Sequence, residues 1–220
     1  MRDERTHPPE WRLVVFDLDG TVLEGTILRA LGAEFGFTGW VREMEVLYAA
    51  GEIANEDITQ GTAERLAGHF VYEAQRALER LAVVADAHHA ICTVNRLGVG
   101  TAVMTISFGF AARWIARKLG AQLAFGSELG VDELGRFMGT VDRHVEAEDK
   151  VEFLAEACAH WSSGPHQAVA VGDGRSDLAL FKEVGFSVAF NATEELRAVA
   201  STNIESASLM AGLAKVPGLL

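Results

Sequence analysis

The chain has 220 residues, 49% of them hydrophobic, which is enough for one α/β domain plus a small accessory unit. Its 31 acidic and 19 basic residues leave a formal net charge of -12, which excludes the basic footprint of a nucleic-acid-binding protein. Two cysteines, Cys92 and Cys158, make no disulfide framework. No apolar run approaches the roughly 18 residues of a membrane span, and the charged opening segment lacks the apolar stretch of a secretion signal, so a cytoplasmic location is expected.

In chain order, residues 1–11 read as a polar lead-in broken by Pro8 and Pro9. Residues 13–16 are continuously apolar and stop abruptly at Asp17-Leu18-Asp19-Gly20-Thr21, the pattern of a buried parallel strand opening into a loop. Residues 25–90 have a different texture. Ile27, Leu28, Leu31 and Phe35, then Val41, Met44, Leu47 and Tyr48, recur at helical spacing, which predicts a small helical insertion. A strand is expected over 100–106, ending at Ser107, and an amphipathic helix over 109–119 closed by Gly120. A short strand at 122–125, a hairpin of 128–131 with 136–141, and a helix over 148–160 follow. Residues 168–171 form the next buried strand, ending at Gly172-Asp173-Gly174. Helix 176–184, strand 186–190 and helix 193–200 complete the alternation. This pattern predicts a Rossmann-like parallel sheet with helices on both faces. Residues 1–24 and 91–220 would form the core, and 25–90 a helical cap inserted after the first strand.

Two of these strands end in acids, Asp17 with Asp19 and Asp173 with Asp177. Open α/β sheets bind ligands at the carboxyl ends of their strands. If the first turn stays extended, Asp17 and Asp19 face the same side. Four carboxylates in one crevice repel one another unless a cation is present, and a hard, oxygen-liganded ion such as Mg²⁺ also holds a substrate phosphate.

Phe16-Asp17-Leu18-Asp19-Gly20-Thr21-Val22 resembles the first motif of the haloacid dehalogenase superfamily. Ser107 resembles its second motif, Lys150 its third, and Gly172-Asp173-Gly174-Arg175-Ser176-Asp177 its fourth, in the same order and spacing. The position of the helical insertion, and the stretch Phe125-Gly126-Ser127-Glu128-Leu129, resemble the subgroup that includes phosphoserine phosphatases. The resemblance implies Asp17 as nucleophile, forming an aspartyl phosphate, and Asp19 as acid and then base. Asp17, Asp173 and the Asp19 carbonyl would bind Mg²⁺, with Asp177 supporting the metal shell or orienting Lys150. Ser107 and the amides near Thr21 and Phe108 would hold phosphate oxygens, and Lys150 would stabilise the transferring group. Asp19 argues against dehalogenation, because halide leaves without a proton whereas an alkoxide needs one.

The chain also departs from that subgroup. The cap glutamate that binds the phosphoserine amine aligns with Thr26, and the cap arginine that binds its carboxylate aligns near Gln60, with Arg65 a few residues on. Phosphoserine is therefore disfavoured as substrate. Phe108 stands where the subgroup has glycine, and its ring either packs under the cap or lines a pocket for a bulkier substrate. Ser176 replaces an asparagine and keeps a hydrogen-bonding group. Outside the motifs, His88, His89 and Cys92 lack a fourth metal ligand. Trp40, Tyr48, Phe70 and Tyr72 read as bundle core or substrate contacts, and Glu24 as a substrate-facing or surface acid. The function expected is hydrolysis of a small phosphorylated metabolite, with phosphotransfer through the same intermediate, or non-catalytic binding, as alternatives. Oligomeric state is left open.

Overall fold

In the computed structural model, which describes residues 11–220, Leu13–Phe16 forms strand β1. The lead-in expected over 1–11 lies outside the described residues, apart from Trp11. Leu13 and Val15 enter one apolar cluster, Val14 and Phe16 another, and all four are fully buried. That is why the run is apolar without alternation: the strand is covered on both faces.

Four helices follow, α1 (Ile27–Glu34), α2 (Thr38–Ala50), α3 (Asn55–Leu66) and α4 (Val71–Leu78). The chain then returns to the sheet through α5 (Ala87–Arg96), β2 (Gly100–Phe108), α6 (Gly109–Leu119), β3 (Leu123–Val131) and β4 (Phe137–Arg143). Next come α7 (Asp149–His160), β5 (Ala168–Gly172), α8 (Leu178–Glu183), β6 (Phe186–Phe190), α9 (Glu194–Arg197), β7 (Thr202–Ile204) and α10 (Leu209–Leu213). The strand order is β4-β3-β2-β1-β5-β6-β7, with only the β3–β4 pair antiparallel. Residues of α5, α6 and α10 share one core with the insertion helices, while α7, α8 and α9 build the core on the opposite face. This is the α/β class the sequence predicts.

The insertion joins the sheet at two places. Its entering and leaving segments pair, with Glu24 N donating to Ala82 O at 2.9 Å and Val84 N to Val22 O at 3.0 Å. Farther out, the segment between α3 and α4 pairs with the start of β4, through Gly68 N to Phe137 O at 2.8 Å and Phe137 N to His69 O at 2.9 Å. The hairpin is thus a buttress for the helices.

The structure departs from the sequence reading in instructive ways. The strands expected at 122–125 and 128–131 are one, because Gly126 lets β3 pass the β2–α6 junction: a Cβ there would stand 2.9 Å from Gly109 N. His88 and His89 lie on α5, not on a strand; only His88 approaches Cys92, one turn on, with Nε2 3.6 Å from Sγ. Helix 176–184 begins with a 3-10 turn at Arg175–Asp177, and helix 193–200 shortens to α9. β7 and α10 have three and five residues, too few for a periodic signal.

Candidate active site

β1 pairs in register with β2 on one side and β5 on the other, Phe16 lying opposite both Val103 and Val171. β1 and β5 therefore finish within a residue of each other while β2 runs on to Phe108, and Asp17 and Asp173 emerge side by side, with Asp17 N donating to Val171 O at 2.9 Å. Beyond Asp17 the chain curls instead of staying extended, since Leu18 O accepts from the amides of Thr21, Val22 and Leu23 at 3.3, 3.1 and 2.9 Å. Gly20 permits the curl. Its φ of +89° suits glycine, and a Cβ there would stand 2.3 Å from Asp173 Oδ2. The curl still delivers Asp19 to the crevice. Its Oδ1 accepts from Ile27 N, at the first turn of α1, at 2.7 Å, and its Oδ2 accepts from the Thr105 hydroxyl at 3.5 Å. The positive end of α1 thus faces that carboxylate.

Lys150 comes from the first turn of α7 and is wholly buried. Its Nζ donates to Asp17 Oδ1 at 2.6 Å, to Asp177 Oδ1 at 2.7 Å and to Ser176 Oγ at 3.5 Å. Gly174 N approaches the other oxygen of Asp177 at 3.4 Å, so Asp177 is held from both sides. The Thr21 hydroxyl donates to Asp173 Oδ1 at 3.1 Å.

Burial pushes the Asp17 carboxyl well above its usual range; the Lys150 ammonium opposes this, and the charges of Asp177 and Asp173 add to it. Asp19 is pushed up to about 6, chiefly by burial, against the Ile27 amide and with help from Asp173. Asp173 also rises to about 6, from burial and then from Asp177. Burial alone would lower Lys150, but Asp17 and Asp177 outweigh it and raise it. Oxygen atoms of Asp17, Asp173 and Asp177 lie within 4.8 Å of one another, with one ammonium among them. An all-oxygen donor set with uncompensated negative charge fits a hard divalent cation.

A family model for haloacid dehalogenase-like hydrolases matches residues 11–185. The chain belongs to that family. Among curated relatives, phosphoserine phosphatase of Archaeoglobus fulgidus is 30% identical over 98% of this chain and 62% of its own length. Phosphoserine phosphatase SerB2 of Mycobacterium tuberculosis is 29% identical over 88% of this chain and 47% of its own. The chain therefore spans about half to three fifths of those two relatives. A solved phosphoserine phosphatase, described as a phospho-aspartyl intermediate analogue, superposes with a TM-score of 0.81 at 25% identity, covering 94% of this chain and 99% of that one.

Above the strand ends lies a cavity of about 240 Å³, lined at its base by Asp17, Asp19, Thr105, Ser107 and Ser176. Lys150 and Asp177 sit beneath it, and Asp173 stands beside Asp17 in the acid cluster. Thr21 is fully buried and turned to Asp173, so its side chain is not on the cavity wall. The Ser107 amide donates to the Thr105 hydroxyl at 2.9 Å. Phe108 borders the cavity and stacks on Phe110, which in turn meets Phe137 edge-on.

The upper wall comes from the insertion, and most of it was not read from the sequence. Thr26 and Tyr48 were considered, and both line the cavity; Leu28, Glu45, Asn55, Ile58 and Thr59 were not. Asn55 is buried at the start of α3 and donates both amide hydrogens to the core, to Val145 O at 2.9 Å and Ile106 O at 3.0 Å. Its sequence signal is nil, because those carbonyls lie 90 and 51 residues away. Gln60 is exposed and pairs with Glu64. Arg65 lies over the Trp40 ring, 4.0 Å from its centroid. Phe70 stacks on Tyr72, and Glu24 is exposed; none of these reaches the cavity.

Proposed function

We propose that the chain is a Mg²⁺-dependent phosphomonoesterase of small phosphorylated metabolites, working through an aspartyl phosphate on Asp17. The observation that carries this reading is the buried Asp17–Lys150–Asp177 bridge at the floor of a cavity that also contains Asp19. Lys150 engages one oxygen of Asp17 and fixes its rotamer, leaving the other oxygen for attack on phosphorus. The new Asp17–phosphorus bond forms as the ester oxygen–phosphorus bond breaks, and Asp19 gives its proton to the departing alkoxide. Asp19 then removes a proton from the water that hydrolyses the acyl phosphate. A carboxyl raised to about 6 suits both duties near neutrality. Lys150 neutralises charge gathering on the phosphoryl oxygens, and Ser107 holds one of them.

The Asp17 and Asp173 carboxylates, with the Asp19 carbonyl, would hold Mg²⁺, which would neutralise charge and polarise the phosphoryl group. Asp177 keeps Lys150 in place. The helical insertion serves as a cap that excludes bulk water while the ester reacts. A cytoplasmic location accords with two free cysteines; among the described residues, no helix is long and apolar enough to cross a membrane.

The test is hydrolysis of p-nitrophenyl phosphate with and without Mg²⁺, together with acid-quench trapping of phosphate on the protein. Turnover in Asp17→Asn should fall by about 10³-fold or more, and the trapped phosphate should vanish. Equal rates in the two proteins would refute the assignment.

A further inference from the structure

We infer that the cap side of the cavity selects a leaving alcohol without a carboxylate, so that the substrate class is the phosphate monoester of a small, uncharged alcohol with an apolar body. This rests on the phosphomonoesterase reading above and says which esters that site takes.

Three neutral polar side chains of the cap wall already bond to the protein. Asn55 spends both amide hydrogens on Ile106 O and Val145 O. The Thr59 hydroxyl donates to Asn55 O at 3.0 Å, and Thr26 Oγ1 accepts from Arg29 N at 3.2 Å as the cap of α1. The rest of the lining on that side is Leu28, Ile58, the ring of Phe108 and Tyr48, whose phenol is polar but uncharged.

Charge points the same way. Among the described residues, the charged side chains on the lining are Asp17, Asp19 and Glu45, all acids, and no lysine or arginine lines the cavity. The nearby cations lie off the lining. Arg29 grips Glu45 with three hydrogen bonds of 2.7, 3.0 and 2.9 Å and does not line the cavity. Arg65 stacks on Trp40 and donates to Gly61 O at 2.9 Å. Arg175 lies over Tyr48, 5.2 Å from its centroid, and lines the adjoining groove. Lys150 is buried below, between two aspartates. A substrate carboxylate would therefore be desolvated beside three acids with no cation on the lining to pair it, which is unfavourable. A substrate ammonium would have to displace Arg29 from Glu45. An alkyl chain meets neither obstacle and gains contact with Leu28 and Ile58.

The experiment uses esters of matched size with the intact enzyme and Mg²⁺: n-propyl phosphate, O-phosphoethanolamine, 3-(phosphonooxy)propanoate and O-phospho-L-serine. Propyl phosphate should give the highest kcat/KM, exceeding both carboxylate-bearing esters by about tenfold or more, a difference carried mainly by KM. A kcat/KM for either carboxylate-bearing ester, or for O-phosphoethanolamine, equal to or above that of propyl phosphate overturns the inference while leaving the phosphatase reading intact. Failure of all four esters and of p-nitrophenyl phosphate would overturn both.

Discussion

The floor and the wall of the cavity are built on opposite principles. The floor is charged, buried and tightly cross-linked: Lys150, with no exposed surface, joins Asp17 to Asp177 across 133 and 27 residues of sequence. The wall is neutral or apolar, and its one acid, Glu45, is matched by a surface arginine. A buried charge network is costly to break and gives its members one geometry. An apolar wall of Leu28, Ile58 and Phe108 changes shape and volume without stranding a charge. On the reading proposed above, the floor would set the reaction and the wall the substrate.

Lys150→Met removes the one cation of the floor's bridge. It leaves Asp17 and Asp177 facing each other without a cation. Turnover should fall by roughly 10²- to 10³-fold, as when a transition-state charge stabiliser is removed, and unfolding free energy by about 3–5 kcal/mol. Kinetics and denaturant melts measure the two. Lys150→Arg should fail to rescue, because the fully buried site has no room for a planar guanidinium. Recovery by arginine would show that charge alone matters there.

Asn55→Leu tests where floor and wall are tied. The substitution strands Val145 O, a buried acceptor, and takes one of two donors from Ile106 O, which keeps the Ser127 hydroxyl at 3.2 Å. A loss of about 1–3 kcal/mol is expected in thermal or urea unfolding. KM should rise more than kcat falls, because the catalytic groups stay while the wall loosens. An unchanged KM would mean that the wall does not depend on this tie.

The two regions also differ in how much of them could be read in the sequence. Asp17, Asp19, Lys150 and Asp173 stand at strand ends or a helix start, where local pattern and motif spacing place them. β1, α6 and β6 emerge within a residue of expectation, because their apolar patterns are continuous or periodic. The wall is set by tertiary docking instead. Asn55 reads as an ordinary helix-start residue, and Ile58 and Leu28 as ordinary bundle core. Nothing local says that they face a cavity, because that depends on how α1 and α3 seat against β2. Gly126 reads as a break between two strands, when its lack of a side chain is what keeps one strand continuous.

The smallest effect expected is on the metal-free protein, and it concerns the floor's excess charge. The Asp19 carboxyl sits at about 6 in the fold against an ordinary 3.8, so the folded chain holds that proton more tightly than the unfolded chain does. Stability from this group is therefore greatest below about pH 4, declines as pH rises through 6, and is level above. Asp19→Asn removes the charge and keeps an oxygen to accept from Ile27 N. In chelator, the variant should be more stable than the parent by about 1–2 kcal/mol at pH 7.5, allowing for partial solvent contact, and the gap should close as pH falls toward 4. Asp173 is raised by the same physics and keeps its pH dependence in the variant, so the parent's slope should be reduced and not abolished. Thermal melts between pH 4 and 8 check this. Mg²⁺ should reverse the sign at pH 7.5, because a cation among these carboxylates favours their ionised forms and the parent then gains what the asparagine cannot. A variant no more stable than the parent in chelator at pH 7.5 would mean that the floor carries no uncompensated charge at Asp19, and the contrast with the neutral wall would then rest on Asp17 and Asp173 alone.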